Sequence, residues 1–112
     1  MSGGYLALYV GNDNRVTLRQ VVEPNSGALD STASVVLTII RNEQPIAGVV
    51  WPLQVPPLAG DPGAYQVVVP KTDDIKHLYQ YLLHFVIIHS NGEVETVNPL
   101  ARGTHYRGEQ VA

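Results

Sequence analysis

The stretch that decides the fold is Ala33–Arg41, with the sequence ASVVLTIIR. Successive side chains of a β-strand point to opposite sides of the sheet, and this stretch is largely aliphatic on both sides. One side carries Val35, Leu37 and Ile39, and the other carries Val36, Thr38 and Ile40. Such a strand is typical of the centre of a sheet, or of a sheet whose second face is covered by a neighbouring subunit.

Six further runs of β type surround this strand, and each is bounded by Gly, Pro, Asn or Asp, which are residues that favour turns. The runs are residues 5–10, 15–22, 46–53, 64–69, 78–89 and 93–97. Ser90-Asn91-Gly92 joins the last two and is a strong hairpin signal. Short strands separated by turns predict an all-β fold, a single immunoglobulin-like β-sandwich of about seven strands, with a jelly roll as the alternative.

The 46–53 strand is expected at an edge of its sheet. Pro52, Pro56 and Pro57 lie at or just beyond its end, and proline within sheets is confined to edges and ends because it lacks a backbone N–H. Gly48 inside the run predicts a bulge. Beyond Pro57 the chain is expected to continue as a loop.

Two periodicities compete between residues 71 and 89. Helical spacing favours a helix after Thr72, whereas alternation and β-branched residues favour a strand. We therefore expect one helical turn over 73–77, with Asp73 and Asp74 near its N-terminus, followed by a strand from 78 to 89. Tyr79 would then stand where β-sandwiches carry a tyrosine that hydrogen-bonds back to the preceding corner.

The length of 112 residues suits a single domain. We expect a flexible N-terminal arm at residues 1–4, the β-sandwich at 5–98, and a polar C-terminal arm at 99–112. Charged residues make up 15% of the chain, against about 25% in an ordinary protein, which favours a surface partly covered by another protein. The alternative is a compact domain with a neutral polar surface.

Charge and composition argue against several classes of partner. The net charge is −3 and the isoelectric point is about 5.7, whereas proteins that bind nucleic acid usually carry a basic stripe. The chain has no cysteine, which excludes disulfides and thiolate chemistry. The start, Met1 to Gly4, lacks the features of a secretion signal, and no apolar run approaches the ~20 residues that span a bilayer. Neither a nucleic-acid nor a membrane partner is expected.

The residues with reactive side chains form no catalytic or metal-binding pattern. His84 and His89 are five residues apart on one predicted strand, so they point to opposite faces and cannot bind one metal ion together. His84 lies on an apolar face and is expected to hydrogen-bond to backbone or to a tyrosine. No nucleophile elbow, phosphate-binding loop or dinucleotide motif occurs. We expect no enzyme activity, no catalytic residue, no cofactor and no metal.

Aromatic and basic residues outside the predicted core are the candidates for a protein interface. Trp51, on the predicted edge strand, is either an exposed anchor or a side chain that closes one end of the core. The terminal arms are too polar for core and are expected to order against a neighbouring subunit. The predicted interface residues are Trp51, Pro52, Tyr5, Arg102, His105, Tyr106 and Arg107.

Four short motifs carry a resemblance to a known family. They are YVGNDNRVTL at 9–18, ASVVLT at 33–38, IAGVVWPL at 46–53 and GAY at 63–65. In this order they resemble small immunoglobulin-like structural proteins of tailed bacteriophages and prophages, over roughly residues 5–90. The apolar 70–89 stretch departs from that pattern, and the C-terminal tail has no counterpart. The resemblance implies a virion component with no catalytic residues to carry over.

Two virion roles follow from the resemblance. A capsid decoration or cement protein would bind and stabilise the lattice of the major capsid protein in many copies, alongside copies of itself. A head–tail connector or tail accessory protein would be present in few copies. Either would be assembled in the bacterial host cytoplasm and reside in the virion. From another class, a carbohydrate-binding or adhesion module would need an exposed aromatic platform, for which Trp51 and Tyr65 are the sequence candidates.

Overall fold

The structure is a computed structural model that describes residues 6–105. These residues form nine strands: β1 (Leu6–Val10), β2 (Asn14–Leu18), β3 (Ser34–Arg41), β4 (Gln44–Pro45), β5 (Leu53–Gln54), β6 (Tyr65–Val69), β7 (Gln80–Ile88), β8 (Val94–Val97) and β9 (Leu100–His105). Within residues 6–105 there is no helix of the length and apolar character needed to cross a membrane. The described chain is all-β, as the sequence predicts.

The strands form a large mixed sheet and a small antiparallel pair. The large sheet has the order β1-β9-β7-β3-β4, with β5 also on β3 and β8 also on β7, and the small sheet is β2-β6. Only β1 and β9 are parallel among these pairs. The segments β4 and β5 pair with the same edge of β3 and occupy one strand position, and β8 and β9 likewise share one position beside β7. The nine segments therefore occupy seven strand positions. This confirms the predicted β-sandwich of about seven strands, with five positions in the large sheet and two in the small one.

The core lies between the two sheets. Leu37 and Ile39 of β3, with Leu83 and Phe85 of β7, are at most 1% exposed, and Tyr65 of β6 is fully buried. They lie on the inward side of strands that alternate between buried and partly exposed positions. The apolar inner faces of the two sheets therefore pack on each other as in other sandwiches.

The predicted strand at 46–53 is wrong over most of its length. The chain pairs with β3 only as β4 and β5, and it leaves the sheet between them. Gly48 there has a φ of 90°, and the backbone N–H and C=O of Ala47 bond to the side chains of Asp74 and Thr72 rather than to a strand. The expected edge position of this segment is confirmed.

The corner before β7 also differs from the prediction. Residues 73–74 and 77–78 form two separate turns in place of a helical turn, and the strand begins at Gln80. Leu78 has a φ of 68°, which lies outside the β region, so the strand cannot begin at residue 78 as predicted. Asp74 accepts a hydrogen bond from the Ala47 N–H at 2.7 Å, so its role is to hold the loop at 47 rather than to cap a helix.

Tyr81, and not Tyr79, is the tyrosine that bonds back to this corner. Its hydroxyl donates to the Asp74 carbonyl at 2.7 Å and accepts from the Lys76 N–H at 2.9 Å. Burial raises the pKa of the Tyr81 phenol. Tyr79 precedes the strand and is exposed, with the Arg41 guanidinium 4.0 Å from its ring centroid. The predicted device is present, two residues later than expected.

The C-terminal arm was predicted to begin at residue 99, and this is wrong for residues 100–105. They form β9, which lies between β7 and β1, and Ala101 is fully buried. Small residues are needed here because the corner before β7 packs on β9: a Cβ at Gly103 would lie 2.0 Å from the Lys76 carbonyl oxygen. Residues 1–4 of the predicted N-terminal arm and residues 106–112 lie outside the described part of the chain.

Candidate functional site

The large sheet has a second face, which points away from the core. We call it the outer face and define it by thirteen side chains of β3, β7, β8 and β9. They are Ser34, Val36, Thr38, Ile40, Gln80, Leu82, His84, Val86, Ile88, Val94, Thr96, Leu100 and Arg102, which pair across the strands.

The outer face is arranged in rows that run across the strands. Its central row pairs Thr38 with His84. The row on one side pairs Val36 with Val86 and continues to Thr96, and the row on the other side pairs Ile40 with Leu82 and continues to Leu100. Polar groups therefore run through the middle of the face, and aliphatic groups flank them on both sides.

The aliphatic part of the outer face is exposed to an unusual degree. Val94 is 60% exposed, Leu100 51% and Ile88 43%, while Val36, Ile40, Leu82 and Val86 are half-buried. Among the thirteen residues, Arg102 is the single Asp, Glu, Lys or Arg. An apolar surface depleted of charge is characteristic of the centre of a protein interface.

His84 gives the outer face its central polar group. Its Nδ1 lies 2.7 Å from the Oδ1 of Asn98, at the break between β8 and β9. The sequence predicted a backbone or tyrosine partner, so the partner is different although the hydrogen bond exists. His89 lies on the opposite, inward side of the same chain segment and is buried, as the alternation predicts.

A charged cluster around the buried His89 lies at one end of the sandwich. His89 is held between two carboxylates, with Nδ1 2.8 Å from Asp30 Oδ2 and Nε2 2.6 Å from Glu95 Oε1. Asp30 also accepts hydrogen bonds from the N–H and the hydroxyl of Thr32. The cluster ties the loop between β2 and β3 to the hairpin between β7 and β8.

The cluster favours the charged form of His89. Hydrogen bonds to Asp30 and Glu95 raise the pKa of His89, and hydrogen bonds from His89 and Thr32 lower the pKa of Asp30. Both ring nitrogens face an acceptor, which only the doubly protonated ring can satisfy. The hydrogen bonds of Asp30 to His89 and Thr32 suit the arrangement to holding the loop. Within residues 6–105 no group of three or more His, Cys, Asp or Glu side chains has the geometry to hold a metal ion.

The predicted interface residues that lie within residues 6–105 do not come together in one place. Trp51 is half-buried, packs against the core and donates its Nε1–H to the Ile46 carbonyl at 2.8 Å, which fits the interpretation as a side chain closing the core. Pro52 beside it is exposed. Arg102 is on the outer face, and His105 stacks on His77 with ring centroids 4.5 Å apart. Tyr5, Tyr106 and Arg107 lie outside the described residues.

The aromatic platform that a carbohydrate-binding module would need is not formed by Trp51 and Tyr65. Tyr65 is fully buried, and its hydroxyl donates to the Asp30 carbonyl at 2.7 Å and accepts from the Ala33 N–H. Its role is to hold the loop before β3 against the core.

Sequence reasoning missed the outer face as a site, although it identified the signal. The double-faced pattern of residues 33–41 pointed to a covered second face, and residues 80–88 repeat that pattern beside it. Aromatic and basic composition drew attention to Trp51 and the tail instead. The residues that form the surface, such as Leu82, Val86 and Leu100, are individually ordinary.

Comparison with known proteins leaves the site to be interpreted from its own chemistry. No protein-family model, no curated protein and no solved structure matches the chain.

Proposed function

We propose that this chain is a non-enzymatic structural protein of a tailed-phage particle, which acts as a capsid decoration or cement protein on the lattice of the major capsid protein. The single observation that carries a role in protein assembly is the outer face. Seven of its thirteen side chains are aliphatic, and one is formally charged. The phage setting comes from the resemblance of the four sequence motifs.

The site chemistry supports binding rather than catalysis. The outer face offers aliphatic groups, a few hydroxyl and amide groups and one imidazole, which suit contact with another protein surface. The buried His89 is saturated by two carboxylates, so it has no free nitrogen with which to activate a nucleophile. A head–tail connector or tail accessory protein is the second virion role, and its copy number separates it from the first.

Quantitative mass spectrometry of purified phage particles from the source tests this proposal. A decoration protein is expected in numbers comparable to the major capsid protein. A small fraction of that number would move the chain to the neck or tail. Absence from particles would refute the virion role and leave an assembly domain of another setting.

A further inference from the structure

Next to its central row, the β3 and β7 part of the outer face has the same chemistry in both directions. The polar pair Thr38 and His84 is followed on one side by the aliphatic pair Val36 and Val86, and on the other side by Ile40 and Leu82. A two-fold axis along the central row would place the first aliphatic pair of one copy against the second aliphatic pair of another. An isologous interface needs such a self-complementary patch.

The single formal charge of the face fits the same symmetry. Arg102 lies two rows from the centre, opposite Gln80, and Val94 lies two rows from the centre in the other direction, opposite Ile88. The axis therefore brings Arg102 of one copy to the Val94 end of the other, next to the exposed Glu93. No like charges meet in the middle, and the cation comes to the end of the face where the hairpin carries the exposed Glu93.

The size of the face suits a dimer that forms only at high concentration. Strand positions are ~4.8 Å apart and each residue adds ~3.3 Å, so the three strand positions of the face by the length of β7 cover about 430 Å² in projection. Standard interfaces bury at least about 600 Å² on each partner, and smaller ones belong to weak, transient complexes. The partner must also be flat, because sheets pack face to face.

We propose that the outer face is covered by a second copy of this chain, in a symmetric face-to-face dimer with its two-fold axis along the Thr38–His84 row. This inference rests on the proposed function, in which the outer face is a protein-binding surface, and names the partner that it takes. The remaining surface of each copy then stays available for the lattice.

Sedimentation equilibrium of the full chain over a range of concentrations tests the proposal. Wild type is expected to pass from monomer to dimer as concentration rises. Leu100→Glu places an unpaired carboxylate on the face and is expected to weaken the dimer at least ~100-fold. Val68→Glu is the matched control, since Val68 is 48% exposed against 51% for Leu100 and lies on the small sheet, and it is expected to dimerise like wild type.

Three results would overturn the proposal. They are a wild type that stays monomeric up to about 1 mM, a Leu100→Glu variant that dimerises normally, and a Val68→Glu variant that fails to dimerise. Circular dichroism must show that both variants fold, which their exposed positions favour.

A cross-link locates the axis, and the chain is suited to it because it has no cysteine. Facing sheets are about 10 Å apart, which exceeds the Cα separation of about 4.4–6.8 Å in a disulfide. A short bismaleimide is therefore the probe. Thr38→Cys is expected to give covalent dimers and Val68→Cys to give none; equal yields from both would refute the assigned axis.

Failure of this inference is distinguishable from failure of the proposed function. A monomeric chain that still enters phage particles, and loses that ability with Leu100→Glu, would refute the second copy and retain the outer face as a docking surface. A dimer that is absent from phage particles would retain the inference and refute the virion role.

Discussion

The two faces of the β3–β7 pair are made of similar side chains, but one face is buried and the other is partly exposed. On the inner face Leu37, Ile39, Leu83 and Phe85 are at most 1% exposed, because the small sheet covers them. On the outer face, aliphatic residues of the same strands and of β8 and β9 stay partly exposed. Strand alternation therefore shows how many apolar faces a sheet has, while the cover of each face depends on the rest of the fold or on a partner.

Truncating one side chain on each face should give the largest difference in stability between the two faces. Phe85→Ala removes a buried ring and is expected to lower the free energy of unfolding by about 3–5 kcal/mol. Val86→Ala, the next residue on the outer face, is expected to cost about 1 kcal/mol or less in the monomer. Urea denaturation at low protein concentration measures both.

Raising the protein concentration sharpens this first comparison. A partner that binds the folded state stabilises it by mass action, so the deficit of Val86→Ala should grow with concentration if the outer face is an interface. The deficit of Phe85→Ala is set mainly within the monomer. Equal losses for the two variants at low concentration would contradict the difference between the faces.

The two histidines of this segment give a second comparison, between a buried and a surface hydrogen bond. Hydrogen bonds to Asp30 and Glu95 raise the pKa of His89 above its ordinary 6.5. The stability that the charged His89 gives to the fold is therefore complete below about pH 6.5, and it is lost as pH rises through the raised pKa. The pKa of Asp30 is lowered from 3.8 by hydrogen bonds from His89 and Thr32. The stability that the ionised Asp30 gives to the fold is complete above about pH 3.8, and it is lost as pH falls through the lowered pKa.

Asp30→Asn should therefore change both the stability and its pH dependence. An amide cannot replace the carboxylate beside the imidazolium, so we expect a loss of roughly 2 kcal/mol near pH 6 and a weaker decline of stability above pH ~6.5. Urea denaturation across the pH range measures this. Asn98→Ala, which removes the hydrogen bond of His84 on the outer face, is the control and should keep the alkaline decline. An unchanged decline in Asp30→Asn would show that His89 does not depend on Asp30.

Local pattern was sufficient for the strands whose faces are fixed by alternation. The strand predicted at 33–41 corresponds to β3 at Ser34–Arg41, and the strand predicted at 93–97 corresponds to β8 at Val94–Val97. It failed for β9, whose sequence LARGTH is polar and contains glycine. That strand exists because β1 and β7 pair with it on both sides, which is a property of the assembled sheet.

The sites were less predictable than the strands for the same reason. Asp30 and His89 are 59 residues apart in the chain, and no spacing rule connects them before the fold is known. The outer face was implied by the double-faced pattern, but its extent depends on the register of β7 with β8 and β9. Composition at single positions left two interpretations of Trp51, and the fold shows that its indole packs on the core.

The two tyrosines at the start of β7 give the smallest and sharpest comparison. Tyr81→Phe removes a buried hydroxyl that serves the Asp74 carbonyl and the Lys76 N–H, and leaving these groups without that partner is expected to cost about 1–1.5 kcal/mol. Tyr79→Phe keeps the ring that faces Arg41 and is expected to change stability by less than ~0.5 kcal/mol. Urea denaturation of the two variants side by side decides which tyrosine holds the corner. A larger loss of stability in Tyr79→Phe than in Tyr81→Phe would mean that the surface contact between Arg41 and Tyr79 holds the corner. The hydrogen bonds of Tyr81 would then be a consequence of the strand and would not fix the turn before it.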